Sequence, residues 1–194
     1  MNKDRIYWQQ AAGDWNRNYA ALCIRWGVIL NGPGVYGSWP ESEPVLRKIG
    51  ISSKKITDLK RFCSEMKPGD MVTLRLGTTT CVAVGVIEGD YEWSECFGDV
   101  DGWNLQHIRR VRWLWHSLDK PKIFPTYSFK QGDTTQQLSS NKIKVWADTL
   151  TQNIDPDFKL QTLPSAEAEV SVPEIANFLF DHGVAAESIN RLTE

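Results

Sequence analysis

The sequence has few histidines and cysteines, which limits the metal and redox chemistry that it can support. Its 194 residues include three histidines and four cysteines. Cys23, Cys63, Cys81 and Cys96 show neither the Cys-x-x-Cys spacing of a zinc site nor the framework expected of disulfides. We therefore predict no metal site and no bound cofactor, and we expect the four thiols to be buried or free.

Long apolar runs are also missing. No stretch approaches the ~18 apolar residues that a membrane-spanning helix requires. The N-terminus is polar and lacks the apolar segment of a signal peptide. We therefore expect a cytoplasmic protein without a membrane partner.

Patterns typical of catalysis are absent as well. The sequence contains no nucleophile elbow, phosphate loop, HExxH pair or paired carboxylates. His107 falls in a predicted strand beside arginines, where a single histidine is more often structural than catalytic. We therefore predict a binding protein rather than an enzyme, with no catalytic residues.

What the sequence has in excess is tryptophan, with nine in the chain. A hydrophobic core does not easily accommodate so many, because each buried indole N–H needs a hydrogen-bond partner. We therefore expect several of them to line a pocket or a surface.

Charge is distributed unevenly along the chain. Residues 151–194 carry eight acidic and two basic side chains, whereas residues 1–150 carry 20 basic and 16 acidic ones. A mildly basic body is compatible with contact to phosphates, but it is equally typical of an ordinary solvated surface.

Periodicity and turn residues predict short strands with few helices between them. The predicted strands are Asp4–Gln9, Trp26–Leu30, Met71–Leu76, Cys81–Ile87 and Gln106–Trp115. The predicted helices are Trp15–Cys23, Ser53–Met66 and Ser140–Leu150. Glu88–Gly102 is predicted to be a loop, and Val111, Trp113 and Trp115 are predicted to share one core-facing side of their strand.

This pattern favours the α+β class, with a mixed, partly closed β-barrel and flanking helices, over a parallel βαβ sheet. We expect one domain over residues 1–152. Residues 153–171, rich in Gln, Ser, Pro and Glu, are typical of a linker. Residues 172–194 are predicted to be helical, either as a C-terminal helix that packs on the domain or as the start of a longer effector region.

The aromatic residues of the predicted loop 88–102 lie where the strands end. Tyr91 and Trp93 belong to this loop and Trp103 directly follows it, and Trp26 and Trp39 frame another loop that can reach the same place. Indole faces that meet at an angle attract a methyl group with partial positive charge, or a flat base flipped out of a nucleic acid. We define these five residues as the predicted cage.

Three segments carry a resemblance to a known family: Met66-Lys-Pro-Gly-Asp-Met-Val, Val84-Gly-Val-Ile-Glu-Gly-Asp-Tyr-Glu-Trp and Arg109-Arg-Val-Arg-Trp-Leu. They resemble EVE and EVE-like domains, including the N-terminal sensors of McrBC-type restriction systems. The resemblance covers roughly residues 5–150 and is strongest over 66–114. It implies a PUA/EVE/YTH-like barrel that binds methyladenine, or methylated or hydroxymethylated cytosine, in an aromatic cage.

Together, the residues and the resemblance predict a site with three parts. The cage consists of Trp26, Trp39, Trp93, Trp103 and Tyr91. The groups expected to bind the edge of the base are Asn31, Asp14 and Asp133. The groups expected to bind phosphates are Arg109, Arg110, Arg112, Lys54, Lys55 and Lys130, the last of which lies in a segment (130–136) similar to a late YTH loop.

We therefore expect the sensor module of a modification-dependent restriction or defence protein, acting on DNA with an effector domain or partner. DNA is favoured over RNA by analogy with restriction systems alone. Two other classes remain open. One is a nucleic-acid-processing enzyme with a metal ion in the acidic loop 90–101, and the other is a module that binds a peptide or a methylated lysine.

Overall fold

The computed structural model describes residues 5–153 and 157–163 of the chain. Within them, helices α1 to α4 cover Ala20–Trp26, Glu43–Lys48, Ser53–Lys60 and Asn141–Thr149. Strands β1 to β7 cover Tyr7–Ala11, Val28–Asn31, Met71–Leu76, Thr80–Trp93, His107–His116, Lys122–Ile123 and Thr135–Gln137. A π-helical turn, Arg61–Glu65, continues α3, and 3-10 turns lie at Glu95–Phe97 and Leu150–Asn153.

The strands form one mixed sheet that curls into a half-barrel. Six of them follow the order β2-β5-β4-β3-β1-β7, and the short β6 pairs with β4. β1 and β3 run parallel, and the other pairs are antiparallel. The expected α+β class and partly closed sheet agree with this architecture.

Side chains, not a backbone ladder, join the two edges of this sheet in the described part of the chain. Gln10 Nε2 on β1 donates to the carbonyl of Leu30 on β2 over 2.7 Å. Asn31 Nδ2 on β2 donates to Thr135 Oγ1 on β7 over 3.0 Å. The curl therefore brings the first and last strands of the sheet together at one buried polar seam.

Two hydrophobic clusters cover the two faces of the sheet. Along β3, Met71 belongs to one cluster, whereas Val72 and Leu74 belong to the other. Trp113 packs with the larger cluster and Trp115 with the smaller one. The prediction that these two indoles share a face is wrong, because an irregularity in the pairing of β4 with β5 interrupts the alternation there.

Local sequence explains where the helices near the seam begin and end. Ser52 caps α3 by accepting the backbone N–H of Lys55, and Ile56 and Leu59 face the core. α1 ends at Gly27, which has φ 58° and ψ 47°, a left-handed conformation that glycine adopts without steric cost. The chain can then reverse directly into β2.

The structure confirms several predicted elements and corrects others. β3 has the predicted bounds, and α3 with its π-helical turn fills most of Ser53–Met66. The predicted helix Trp15–Cys23 begins only at Ala20. The predicted loop Glu88–Gly102 is wrong in its first part, because β4 continues through Tyr91 to Trp93.

The four cysteines are free thiols, and Cys23, Cys63 and Cys81 are buried, as expected. Burial raises the pKa of these three thiols above its usual range. They therefore stay protonated and pack as small apolar side chains.

Part of the predicted linker 153–171 lies against the sheet. Gln161 accepts a hydrogen bond from Arg110, Leu163 packs on the larger cluster, and the ring of Phe158 lies 5.7 Å from the Arg112 guanidinium. The predicted helix 172–194 is outside the described residues. Among the described helices, none has the length and apolar character needed to span a membrane.

Candidate functional site

A cavity of about 440 Å³ opens at the end of the barrel where β1 and β2 finish. Loop 102–105 forms one side of it, and α3 and the residue before β7 form another. The side chains that give it chemical character are Tyr19, Asn31, Lys55, Trp103, Asn104 and Thr134. We call this space the cavity.

Two aromatic rings form one wall of the cavity. Tyr19 and Trp103 pack edge to face, with ring centroids 5.2 Å apart and planes at 79°. Burial raises the pKa of Tyr19 well above its usual range, and its hydroxyl donates to the carbonyl of Ala11. The wall is therefore rigid and uncharged on the tyrosine side.

A cation lies over the ring of Trp103. The Arg17 guanidinium carbon lies 3.9 Å from the centroid of the indole, within the range of a cation–π contact, while Arg17 does not line the cavity. Asp101 anchors Arg17 through an ion pair of 2.9 Å and through its backbone carbonyl. The Trp103 indole therefore contacts both the Tyr19 ring and an exposed ion pair.

The opposite side of the cavity is a buried polar network, which we call the polar floor. It consists of Gln10, Asn31, Lys55, Asp58 and Thr135. Lys55 Nζ donates to Asp58 Oδ2 over 2.6 Å and to Asn31 Oδ1 over 2.7 Å. Asp58 Oδ1 accepts the backbone N–H of Thr135 over 2.6 Å, and Thr135 Oγ1 donates to Gln10 Oε1 over 2.7 Å.

The polar floor leaves Asn31 no free hydrogen-bonding capacity. Its oxygen accepts from Gly32 N and Lys55, and its amide donates to Thr135 and, over 3.4 Å, to Asp58. An amide oxygen accepts two hydrogen bonds and an amide nitrogen donates two. The predicted role of Asn31 at the edge of a base therefore requires this network to break.

Asn104 is in the opposite situation. It is exposed at the cavity wall, and within the described residues its side-chain amide has no hydrogen-bond partner. Its backbone carbonyl accepts the N–H of Gly34, which fixes its position. Packing is tight here, because a Cβ at Gly32 would overlap that same carbonyl oxygen.

Of the predicted cage, Trp103 alone lines the cavity. Trp39 is buried, and its indole donates to Ser64 Oγ over 2.9 Å. The Trp93 indole donates to the carbonyl of Gly34 over 2.8 Å. Trp26 packs half-buried against the larger cluster. These indoles hold the fold and the loop 32–39 and do not form walls of this cavity.

Tyr91 serves the same loop through a chain of hydrogen bonds. His107 Nε2 donates to the carbonyl of Pro33 over 3.2 Å, so Nδ1 accepts from the Tyr91 hydroxyl over 2.8 Å. The Tyr91 oxygen accepts the backbone N–H of Trp39 over 2.9 Å. Burial, with a smaller effect of Lys55, lowers the pKa of His107 to about 4. The histidine is therefore neutral and structural.

Two of the β5 arginines that were predicted to bind phosphates are buried. Arg109 is 2% exposed and donates to the carbonyls of Phe62 and Cys63, which fastens the π-helical turn to the sheet. Arg110 is 7% exposed and bonds Gln161. A phosphate cannot reach either guanidinium without displacing these partners. Arg112 is half-buried and pairs with Glu88 over 2.6 Å.

The three lysines predicted to bind phosphates differ in their surroundings. Lys55 lines it, and Lys54 is the next residue on α3, with its side chain 67% exposed and 3.3 Å from Asp133. Lys130 is exposed, and its backbone is held by the side chain of Gln9. Asp133 itself pairs with Arg61 over 2.9 Å and does not line the cavity.

The acidic residues have local partners. Asp14 is exposed and accepts the backbone N–H groups of Asn16 and Arg17, so it shapes the loop that carries Arg17. Asp99 accepts the N–H of Gly102. Within the described residues, no group of three or more His, Cys, Asp and Glu side chains is arranged to hold a metal ion.

Sequence reasoning missed Tyr19, Arg17, Asp58, Asn104 and Thr134. The sequence does indicate the role of Asp58. It lies between Ile56 and Leu59 on the buried face of α3, where an acidic side chain needs a partner, and Lys55 is one helical turn before it. The others come together only through contacts between distant segments, which spacing along the chain does not indicate.

No curated protein matches the chain. A family model described as a domain of unknown function, DUF8426, matches residues 23–142. The match spans α1 to the start of α4 and includes Asn31, Lys55, Trp103 and Asn104. The chain therefore belongs to the DUF8426 family.

Proposed function

We propose that this chain is a non-catalytic reader module that binds DNA carrying a modified base, with that base flipped into the cavity. The observation that carries the proposal is the convergence of an indole, a lysine and an unpartnered amide in one open space of about 440 Å³. The volume falls within the ~300–1,000 Å³ typical of ligand pockets.

Trp103 supplies the surface on which a flat ring can stack. Its indole is already held in place by Tyr19 and Arg17, so little side-chain freedom is lost when a ligand binds. Stacking of a base on an aromatic side chain contributes about 1–3 kcal/mol. A single such wall supplies affinity for any base, so selectivity for a modified base has to come from the groups that bind the edge of the base.

Asn104 and Lys55 are the groups best suited to bind the edge of the base. The Asn104 amide can donate and accept side by side, which matches the exocyclic amine and ring nitrogen of cytosine or adenine. Lys55 contacts Thr134 Oγ1 over a long 3.4 Å, so its third proton is available to a carbonyl of the ligand.

Phosphates flanking the flipped base would meet exposed cations near the cavity. These are Arg17, which covers Trp103, Lys54, which precedes Lys55, and Lys130, which lies four residues before Thr134. Contacts of this kind orient the nucleic acid without reading its sequence. The resemblance to restriction sensors supports DNA as the substrate and a separate effector as the partner.

The test is a binding titration against duplex DNA and RNA oligonucleotides, each with one modified base. We expect one modification to bind at least tenfold tighter than its unmodified counterpart. Trp103→Ala should weaken that binding about 5- to 150-fold, the range that corresponds to one stacking contact.

Trp146→Ala is the matched control. Trp146 pairs edge to face with Trp115 at 5.1 Å and 78°, close to the geometry of Trp103, but it packs in the other cluster. The Trp146→Ala variant should lose a comparable amount of packing and keep its affinity for the modified base. Equal losses in both variants, or equal binding of modified and plain oligonucleotides by the unaltered protein, would refute the proposal.

Trp93→Phe separates the predicted cage from the cavity. The phenyl ring preserves most of the packing but cannot donate to Gly34. If the base binds in the cavity, affinity should change less than threefold. A loss as large as that of Trp103→Ala would indicate instead that the base binds in the predicted cage.

A further inference from the structure

The lining of the cavity contains one cation and no anion. Lys55 is the cation, and the remaining lining residues within the described part of the chain are neutral, with no aspartate or glutamate. A positively charged ligand would lose its hydration in this space without gaining a carboxylate partner. The lining alone therefore disfavours a cation.

Three carboxylates close in sequence or contact to the lining residues are already paired with cations. Asp58 is buried behind Lys55 and binds it over 2.6 Å, while also accepting the N–H of Thr135. Asp101 is paired with Arg17, which lies over Trp103. Asp133, near the rim, binds Arg61 and Lys54. These three would each have to leave a cation to serve a ligand, whereas Asp14, which follows the lining residue Gly13, accepts only the backbone N–H groups of Asn16 and Arg17.

The indole of Trp103 also has a cation partner already. An aromatic ring attracts cations through the negative charge of its faces, and Arg17 already lies 3.9 Å from the Trp103 centroid. A second cation on this indole would share the ring with Arg17 and be repelled by the guanidinium. A neutral ring stacked on the same face meets no such repulsion.

From these three observations, and resting on the proposed function, we infer that the cavity selects electrically neutral modified bases and rejects positively charged ones. The class it accepts comprises bases such as 5-methylcytosine, 5-hydroxymethylcytosine and N6-methyladenine. The class it rejects comprises 3-methylcytosine and 1-methyladenine, which are cations near neutral pH, together with methylated lysine side chains.

The experiment compares 5-methylcytosine with 3-methylcytosine, each placed opposite adenine in the same duplex. Neither forms a normal base pair there, so the cost of flipping the base is similar, and the main difference is charge. With the unaltered protein at pH 7, we expect the neutral base to bind about tenfold tighter or more. N6-methyladenine and 1-methyladenine, each opposite cytosine, form a second pair of the same design.

Arg17→Gln tests the role of the covered indole. Removing the guanidinium frees the ring for a cationic ligand, so the preference for the neutral base should narrow by about two- to fivefold, the size of an exposed cation–π contact. Arg47→Gln is the control, because Arg47 is also an exposed arginine in a surface ion pair, with Glu43 on α2. In Arg47→Gln, the ratio of the affinities for the neutral and the cationic base should equal the ratio in the unaltered protein.

The outcomes separate this inference from the proposed function. A preference for the neutral base that narrows in Arg17→Gln alone supports both. Equal or tighter binding of the cationic base overturns the inference and leaves the reader proposal standing. If Arg17→Gln leaves the ratio of the two affinities unchanged, Arg17 does not contribute to the rejection of cationic bases. Failure of every modified duplex to bind above its plain counterpart overturns the proposed function and the inference with it.

Discussion

The side-chain amide of Asn31 on β2 donates a hydrogen bond to Thr135 Oγ1 on β7, across the seam where the two edges of the sheet meet. The same amide oxygen binds Lys55, which lines the cavity. Asn31 therefore contributes both to the closure of the barrel and to the construction of the cavity.

Asn31→Ala tests this contribution. It leaves the buried backbone N–H of Gly32 without a partner and removes the hydrogen bond to Thr135 Oγ1, so we expect the free energy of unfolding to fall by about 1–3 kcal/mol. Urea denaturation measures this directly. Asn16→Ala, in an exposed loop, should change it by less than about 0.5 kcal/mol. An equally small effect at Asn31 would contradict the role of the seam.

Lys55→Met should be more harmful than its partial exposure suggests. It leaves the Asp58 carboxylate buried without a counterion, which typically costs about 3–5 kcal/mol. The double variant Lys55→Met/Asp58→Asn removes both charges and keeps an acceptor for Thr135 N, so thermal unfolding should show recovery of a large part of the loss. A double variant less stable than the single one would indicate that Asp58 does not need Lys55.

His107 predicts a dependence of stability on pH. Its pKa falls from 6.5 to about 4 on folding, so between these values the unfolded chain binds a proton that the folded chain does not. The contribution of His107 to the free energy of unfolding is therefore complete above pH 6.5 and is lost as the pH falls toward 4. The loss is at most about 1.4 kcal/mol per pH unit. Urea denaturation from pH 7 to 4.5 measures the loss.

His107→Gln is the reference for that measurement. Glutamine does not titrate, so the stability difference between the unaltered protein and the variant should shrink as the pH falls. A difference that stays constant over this window would mean that His107 titrates alike in both states.

The salt dependence of DNA binding separates the candidate phosphate contacts. Each contact adds about 0.9 to the slope of log affinity against log salt concentration. Lys54→Gln and Lys130→Gln should each lower the slope by about that amount and weaken modified and plain DNA alike. Arg110→Ala should leave the slope unchanged, because its guanidinium is buried on Gln161. A lower slope for Arg110→Ala would restore the prediction made from the sequence.

Local sequence is sufficient for those parts of the fold that local physics determines. β3 follows from the alternation in Met71–Leu76, and α3 follows from the Ser52 cap and the spacing of Ile56 and Leu59. The extent of β4 did not follow, because Gly89 and Asp90 are typical turn residues. In the structure they lie within an irregularity of the pairing between Ile87 and Tyr91, and the strand continues beyond them.

The sequence indicated one feature of the candidate site but not most of the residues that form it. An excess of tryptophan correctly indicated that an indole would line a cavity, and Trp103 does. The sequence could not show that Asn31 is saturated, because its partners Asp58 and Thr135 lie 27 and 104 residues away. Alternation along β5 places Arg109 on the side of Val111, but it could not show that the guanidinium binds the carbonyls of Phe62 and Cys63, which are distant in sequence.

The seam has a mechanical consequence. Lacking a backbone ladder in the described chain, the junction of β2 with β7 is the line along which this barrel can open most easily. The cavity borders Asn31 on one side of that line and Thr134 on the other. A ligand bound in the cavity would contact both sides of this line. Ligand binding would therefore slow amide hydrogen exchange along β2 and β7, and ligand release would allow the two strands to separate locally again.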